Sequence, residues 1–137
     1  MGVFQPPARD RGVVGISDGV LIVEKEEGET SFSVVRKVKK LLQVSKVGHA
    51  GTLDPFATGL LLVLVGQGTK LSPYLMAGDK TYLGTLTLGT ETETLDRTGR
   101  VTAVKPVPKL EPELVRERAR AFVGETEQTP PSFSALK

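Results

Sequence analysis

Residues 46–65 read KVGHAGTLDPFATGLLLVLV and join a glycine-rich polar segment to the most apolar run of the chain. The polar segment, residues 46–59, contains the single histidine of the sequence, His49, and a single carboxylate, Asp54. The apolar run at 60–65 predicts a buried strand. A loop that feeds directly into a buried strand is a common way to hold a reactive side chain on a rigid support. Asp54 is therefore the candidate catalytic residue.

Length and composition indicate one globular domain. The chain has 137 residues, of which 39% are hydrophobic and 25% are charged, as is usual for a folded protein. It contains no cysteine, which excludes disulfides, thiolate metal ligands and a thiol nucleophile. A single histidine argues against a histidine-based metal site. We therefore expect no metal.

The N-terminus lacks the charged and then apolar pattern of a signal peptide. The longest apolar run is far shorter than the about 20 residues that span a bilayer, so we expect a cytoplasmic protein with no membrane partner. The net charge is only +2. Five basic residues nevertheless fall together without an acid among them, which suggests a polyanionic partner; they are Arg36, Lys37, Lys39, Lys40 and Lys46.

The first half of the chain predicts two strands and two helices after a loose arm at residues 1–12. We expect a strand at 13–23 with a turn at Ser17-Asp18-Gly19, and then a charged loop at 24–29. Thr30 or Ser31 caps a helix. Its apolar stripe comprises Val34, Val35, Val38, Leu41 and Leu42. The segment 46–59 is expected to be a flexible loop, followed by the strand at 60–65 and a short helix at 69–76.

The second half predicts a hairpin and a third helix. Apolar residues at alternate positions, with Tyr82, Leu86 and Leu88 on one face, predict a strand at 81–88. It is expected to pair with a strand at 101–104 across a polar turn. A helix begins near Glu111 and Pro112 and ends at Gly124. The apolar stripe of that helix comprises Leu114, Val115, Ala119, Phe122 and Val123, and an extended, proline-rich segment follows at 128–137.

Two interpretations of Asp54 and of His49 remain open from the residues alone. An Asp-Pro pair commonly starts a turn, and a turn aspartate is more often structural than catalytic. The lone carboxylate argues against the paired acids of glycosidases and suits a nucleophile or a base. His49 is either a general base or a hydrogen-bonded loop residue. The absence of a serine or cysteine partner favours the second interpretation.

The segment from Gly48 to Pro55 resembles the signature loop of the TruB-type tRNA pseudouridine synthases, which modify uridine 55 in the tRNA T-loop. Four further segments resemble family motifs in the same order along the chain: Gly28-Glu29-Thr30-Ser31, Lys80-Thr81-Tyr82, Thr90 through Asp96 to Gly99, and Gln128 to Lys137. The resemblance implies an α/β fold of the α+β type, in which a mixed, largely antiparallel sheet carries helices on one face. Residues 13–137 would be the N-terminal half of the catalytic domain, incomplete at the C-terminus.

The resemblance also implies roles for particular residues. Asp54 would be the nucleophile that isomerises uridine to pseudouridine. Tyr82 would stack on the flipped base and assist proton removal. The residues expected to hold the RNA are His49, Gly51, Thr52, Lys46 and Lys80. The reaction would need no cofactor, the partner would be tRNA, and the complete enzyme would be a monomer.

Three departures from the family pattern bear on activity. Glu26 stands where the family has proline, and Phe133 replaces a tyrosine. The arginine that pairs with the catalytic aspartate has no counterpart up to Lys137. The chain is therefore either an incomplete piece of an active enzyme or a non-catalytic RNA-binding module that aids tRNA folding. A guide-RNA-dependent synthase is a less favoured alternative.

Overall fold

The computed structural model describes residues 15–127, which form two compact units divided after Thr81. The first unit contains β1 (Gly19–Lys25), α1 (Ser31–Leu42), β2 (Val47–His49), β3 (Gly59–Val65), a 3-10 helix (Gly66–Leu71) and α2 (Ser72–Ala77). The second unit contains β4 (Thr90–Thr92), β5 (Val101–Val104) and α3 (Pro112–Arg120). The predicted arm at 1–12, the start of the first predicted strand and the proline-rich segment at 128–137 lie outside the described residues.

The first unit is organised around β3, the apolar run of the sequence. The strand order is β1-β3-β2, and both neighbours are antiparallel to β3. Because β3 is the central strand, Leu61, Val63, Leu64 and Val65 are almost completely buried. The predicted combination of helices with an antiparallel sheet is confirmed for this unit.

Helix α1 packs on this sheet. Thr30 is the N-cap, and its hydroxyl oxygen accepts a hydrogen bond from the amide of Ser33 at 3.0 Å. Val34 packs with Leu61 and Val63 in the core. The helix ends where Gln43 adopts the left-handed conformation at φ 55°. The predicted cap is confirmed, and the apolar stripe is confirmed for Val34, Val35 and Val38, whereas Leu41 is 79% exposed.

Residues 15–18 of the strand predicted at 13–23 are not part of a strand, since β1 starts at Gly19. Two further segments of the first unit differ from the prediction. Strand β1 runs through Glu24 to Lys25, which the sequence placed in a charged loop. Strand β2 lies within the segment 46–59, which was predicted to be a loop throughout. The cause is non-local in both cases. The backbone of β3 forms hydrogen bonds with β1 along one edge and with β2 along the other, and these bonds define both strands. The three residues of β2, with glycine at the centre, show no alternating pattern that would predict a strand.

In the second unit, the predicted strand at 81–88 is wrong. Those residues pair with no strand in the part of the chain that the structure describes, and the hairpin instead joins β4 to β5. Alternation along 81–88 was not sufficient to predict a strand, because a strand also requires a hydrogen-bonded neighbour. No residue within 82–127 is buried.

The third predicted helix is confirmed at its start, but it ends earlier than expected. Helix α3 stops at Arg120, so Phe122 and Val123 fall after it and are exposed. The amides of both residues donate to carbonyls three positions earlier, which is the hydrogen-bond pattern of a 3-10 turn and not of an α-helix. Its apolar stripe has no buried surface among residues 82–127 to pack against, so packing does not extend the helix.

A turn at Ser17-Asp18-Gly19 docks on the start of the 3-10 helix. The Asp18 carboxylate accepts hydrogen bonds from the Gln67 amide and from the Ser17 hydroxyl. Gly68 permits this close approach, since a Cβ there would lie 2.2 Å from the carbonyl oxygen of Gly19. The Gln67 amide, followed by the Ser17 hydroxyl, holds the pKa of Asp18 below its usual value of 3.8.

We expect the stabilising effect of Asp18 to depend on pH. A lowered folded pKa means that the contribution is complete above the unfolded value of 3.8 and is lost as the pH falls through the folded value. Asp18→Ala should therefore lower the thermal midpoint at neutral pH, and the difference from the parent should shrink toward zero on acidification. Asp79→Ala, at another exposed aspartate, is the matched control. A midpoint difference that does not change with pH would contradict the prediction.

Candidate active site

Asp54 lies in the connection between β2 and β3. The Ala50 amide donates to the Leu62 carbonyl at 2.9 Å, which anchors the start of the connection on β3. The Ala57 amide donates to the Asp54 carbonyl at 3.0 Å and closes a four-residue turn. Pro55 is the second residue of that turn, where its fixed φ is favourable. The turn is thus defined by its main chain.

Ser31 fixes the residue before Asp54. The Ser31 hydroxyl accepts a hydrogen bond from the Leu53 amide at 2.9 Å and donates one to the Leu53 carbonyl at 3.2 Å. The side chain is only 2% exposed. Ser31 is the first residue of α1 and lies on its buried face, so the helix docked on the sheet holds Leu53 in place.

Lys25 fixes the residue after Asp54. Its ammonium group donates to the carbonyls of Glu26 at 3.0 Å, Glu29 at 2.7 Å and Pro55 at 3.3 Å. The Pro55 carbonyl also accepts from the Gly28 amide at 2.7 Å. Lys25 is 0% exposed, and an ammonium group has three N–H donors. Three carbonyls therefore satisfy a fully buried cation that has no carboxylate partner in the range 15–127.

These contacts leave Asp54 exposed between two fixed neighbours. Its carboxylate makes no hydrogen bond and no ion pair with another residue of the described chain. The main chain on each side is bonded to Ser31, Lys25 and Gly28. The carboxylate itself therefore takes no part in holding the turn, and its oxygens are open to solvent.

The same geometry explains why Glu26 is compatible with the site. The family resemblance places a proline at this position, but the Lys25 ammonium bonds to the main-chain carbonyl of residue 26. Proline and glutamate both supply that carbonyl. The substitution therefore keeps the acceptor that Lys25 uses.

Three of the residues predicted to bind RNA lie at the start of the connection. His49 is the last residue of β2, and its Nδ1 lies 2.7 Å from the Gly51 carbonyl. Because a carbonyl can only accept, Nδ1 carries the proton and donates. Gly51 has φ +107°, which favours glycine. Thr52 is exposed.

The two lysines predicted to contact RNA are differently placed. Lys80 donates to the carbonyls of Met76 at 2.7 Å and Gly78 at 2.8 Å, at the C-terminal end of α2. Its Cε lies 3.9 Å from the position that a Cβ would take on Gly51, so its stem passes beside the connection. Lys46 is exposed, immediately before β2. The assignment of both lysines to RNA stays a prediction.

Tyr82 begins the second unit, and its side chain is 69% exposed.

The hairpin of the second unit contains Asp96, whose carboxylate accepts hydrogen bonds from the Thr98 hydroxyl, the Thr98 amide and the Thr94 hydroxyl. These hydrogen bonds, with the Thr98 hydroxyl as the largest contribution, lower the pKa of Asp96 from 3.8. The polar turn between β4 and β5 is therefore organised by the Asp96 carboxylate, whereas residues 90–92 of the predicted turn form β4.

Sequence reasoning assigned no role in the site to Lys25 or Ser31. The sequence predicts Ser31 as a possible helix cap within the Gly28-Glu29-Thr30-Ser31 segment, and it predicts Lys25 in a charged loop. Both act through main-chain atoms 22 and 30 residues away, respectively, which no periodicity reveals. The available signal was a lysine at the end of a strand, three residues before the Gly28-Glu29-Thr30-Ser31 motif.

No group of three or more His, Asp or Glu side chains that would hold a metal ion occurs within residues 15–127. Over the same residues, no helix has the length and apolar character needed to cross a membrane.

Replacing Lys25 should destabilise the first unit. Lys25→Met keeps the length and apolar stem but leaves the Glu26, Glu29 and Pro55 carbonyls without their common donor. We expect the free energy of unfolding to fall by about 2 kcal/mol, as measured by chemical denaturation. Lys70→Met, at an exposed lysine, should change it little. Equal stabilities for the Lys25→Met variant and the parent would show that the three hydrogen bonds of the Lys25 ammonium group do not stabilise the unit.

Known proteins are similar to this chain over most of its length. Residues 39–137 match the TruB family pseudouridylate synthase (N terminal domain). The chain is 49% identical over 120 residues to a tRNA pseudouridine synthase B of Geobacter sulfurreducens, covering 88% of this chain and 40% of that protein. It is 50% identical over 120 residues to one of Nitratidesulfovibrio vulgaris, covering 87% of this chain and 39% of that protein.

A solved structure is also similar. The crystal structure of a Cbf5-Nop10-Gar1 complex matches with a TM-score of 0.59 and 26% identity, over 90% of this chain and 32% of that chain. The chain spans about two fifths of the length of the two curated relatives. The family match covers more than half of the sequence, includes the entire Asp54 connection, and agrees with both relatives. The chain belongs to the TruB family of pseudouridylate synthases.

Proposed function

We propose that the protein to which this chain belongs converts uridine to pseudouridine in tRNA, with Asp54 as the nucleophile. One observation carries the proposal: Asp54 is exposed and unpaired within residues 15–127, while its neighbours Leu53 and Pro55 are bonded to buried side chains. Relatives that are 49% and 50% identical are tRNA pseudouridine synthases B, which supports the substrate class.

The reaction needs a group that can attack an electron-poor carbon. An Asp54 oxygen attacks C1′ of the ribose, and the N-glycosidic bond breaks with its electron pair on the uracil. The freed base turns so that its C5 faces C1′. A new C–C bond forms between C5 and C1′, and the carboxylate leaves. The proton on C5 is released to solvent, and N1 of the uracil takes up a proton in its place. No atom is added or lost overall, so the product is an isomer.

The target base must leave its stack before Asp54 can reach the ribose. We propose that the target is the T-loop of tRNA and that the exposed ring of Tyr82 stacks on the flipped base. His49 and Thr52 lie in or beside the Asp54 connection, where they can hold the opened loop. Lys46 and Lys80 supply positive charge for phosphates.

The direct test uses the intact protein and tRNA labelled with tritium at C5 of uridine. Asp54→Asn keeps the shape of the side chain but removes the nucleophilic charge, so tritium release should fall by at least about a thousandfold. Binding of tRNA should persist. Asp79→Asn, at an exposed aspartate outside the site, should retain turnover. Full turnover by the Asp54→Asn variant would refute the proposed role.

A second test addresses the placement of Asp54. Ser31→Ala removes both hydrogen bonds to Leu53, so kcat should fall about tenfold while KM for tRNA stays near the parent value. Ser33→Ala is the matched control, because that hydroxyl donates to the Thr30 carbonyl at 2.7 Å in the same helix turn. Equal kcat values for the two variants would contradict a positioning role for Ser31.

A non-catalytic RNA-binding module or tRNA folding aid is the second candidate. It is favoured by the lack of a cation beside the Asp54 carboxylate among residues 15–127, because such a partner keeps a carboxylate ionised near a substrate. The intact protein decides between the two functions. Salt-sensitive tRNA binding with no tritium release would support the module, whereas turnover would reject it.

A further inference from the structure

One face of α1 combines an aromatic ring with positive charge. Phe32, Arg36, Lys39 and Lys40, here called the basic stripe, fall within a sector of about 100° on a helix of 3.6 residues per turn. All four are exposed. Val34 and Val38 lie on the other side of the helix and pack toward the core. The stripe is therefore the outward face of a helix fixed to the sheet.

Phe32 is an apolar residue on the solvent-exposed face of α1. It is 61% exposed, although the buried side of α1 is close at hand. The Arg36 guanidinium carbon lies 5.2 Å from the centre of the Phe32 ring, within the range of a cation–π contact. A flat aromatic surface and a flat cation thus lie together, open to solvent.

The charge of the stripe is not neutralised. The sequence has no aspartate or glutamate from Thr30 to Leu53. Lys37, which lies outside the stripe, pairs with Glu29. In the described part of the chain, no carboxylate pairs with Arg36, Lys39 or Lys40. Solvated helix faces usually mix both signs of charge, because like charges one turn apart repel.

The stripe begins beside the Asp54 connection. Phe32 directly follows Ser31, whose hydroxyl bonds to both main-chain groups of Leu53. From Phe32, the stripe runs about 12 Å along the helix axis to Lys40, at 1.5 Å per residue. A chain that entered the site could therefore continue along it.

We propose that the basic stripe binds an unpaired segment of the substrate RNA outside the reacting loop. A base stacks on the Phe32–Arg36 pair, and Lys39 and Lys40 contact phosphates. Aromatic rings set among cations are the usual platform for single-stranded RNA. A membrane surface fits less well, because the apolar side of α1 is buried in the core and cannot insert. The proposal rests on the proposed function, since it assumes an RNA substrate.

The stacking contact can be tested with the intact protein and a tRNA substrate. Phe32→Ala should weaken tRNA binding about tenfold, in line with the loss of one base stack, and should raise KM with little change in kcat. Phe32→Trp should retain affinity and place a reporter where this chain has no tryptophan. Its fluorescence, measured against the parent background, should be quenched when tRNA binds. Unchanged affinity for the Phe32→Ala variant, or no quenching, would overturn the proposal.

The charge contacts have their own test. Lys39→Gln/Lys40→Gln should reduce the slope of log affinity against log salt by about 1.4, from about 0.7 per phosphate contact on a single strand. Lys105→Gln/Lys109→Gln is the charge-matched control at two exposed lysines of the second unit. Equal salt slopes for the two double variants would refute the proposal that Lys39 and Lys40 contact phosphates.

The two proposals fail in distinguishable ways. A parent protein that neither binds nor isomerises tRNA would overturn the proposed function. A parent that does both, with stripe variants that bind and react like the parent, would overturn only the stripe.

Discussion

The buried ammonium group of Lys25 is the contact on which the arrangement of the site depends. It lies at the end of β1 and bonds to carbonyls of Glu26, Glu29 and Pro55. A buried cation without a carboxylate is costly unless every N–H finds an acceptor. The two segments that supply those acceptors, the connection from β1 to α1 and the Asp54 turn, are therefore held to one point.

The hydrogen bonds of Lys25 link the sheet to the turn that contains Asp54. Lys25 is paired in register with Gly59, the first residue of β3, so β1 ends where the Asp54 connection returns to the sheet. Ser31, at the start of α1, holds the residue before Asp54, and Lys25 holds the residue after it. Neither contact uses the carboxylate itself. The protein thereby fixes the main chain on both sides of Asp54 and leaves its carboxylate oxygens without a partner within residues 15–127.

The parts of the fold that follow local rules were predictable. The period of α1, its threonine cap and the apolar run of β3 depend on neighbouring residues alone, whereas the role of Asp54 stays a prediction. The failures share a non-local cause. Strand β2 and the unpaired segment 81–88 depend on which distant backbone is available to pair. The roles of Lys25 and Ser31 depend on main-chain atoms 30 and 22 residues away, which no composition or spacing indicates.

The most direct measurement of this account is amide hydrogen exchange at Leu53 and Gly28 in the intact protein. Their amides donate to Ser31 and to the Pro55 carbonyl, respectively. Both amides should be protected from exchange in the parent. Both should exchange at least about tenfold faster in the Lys25→Met variant, because the segment opens at a lower free-energy cost when the hydrogen bonds of the ammonium group are absent. The Val63 amide in the central strand should stay slow. Rapid exchange of Leu53 and Gly28 in the parent would contradict the account, because Asp54 would then stand on an unanchored loop.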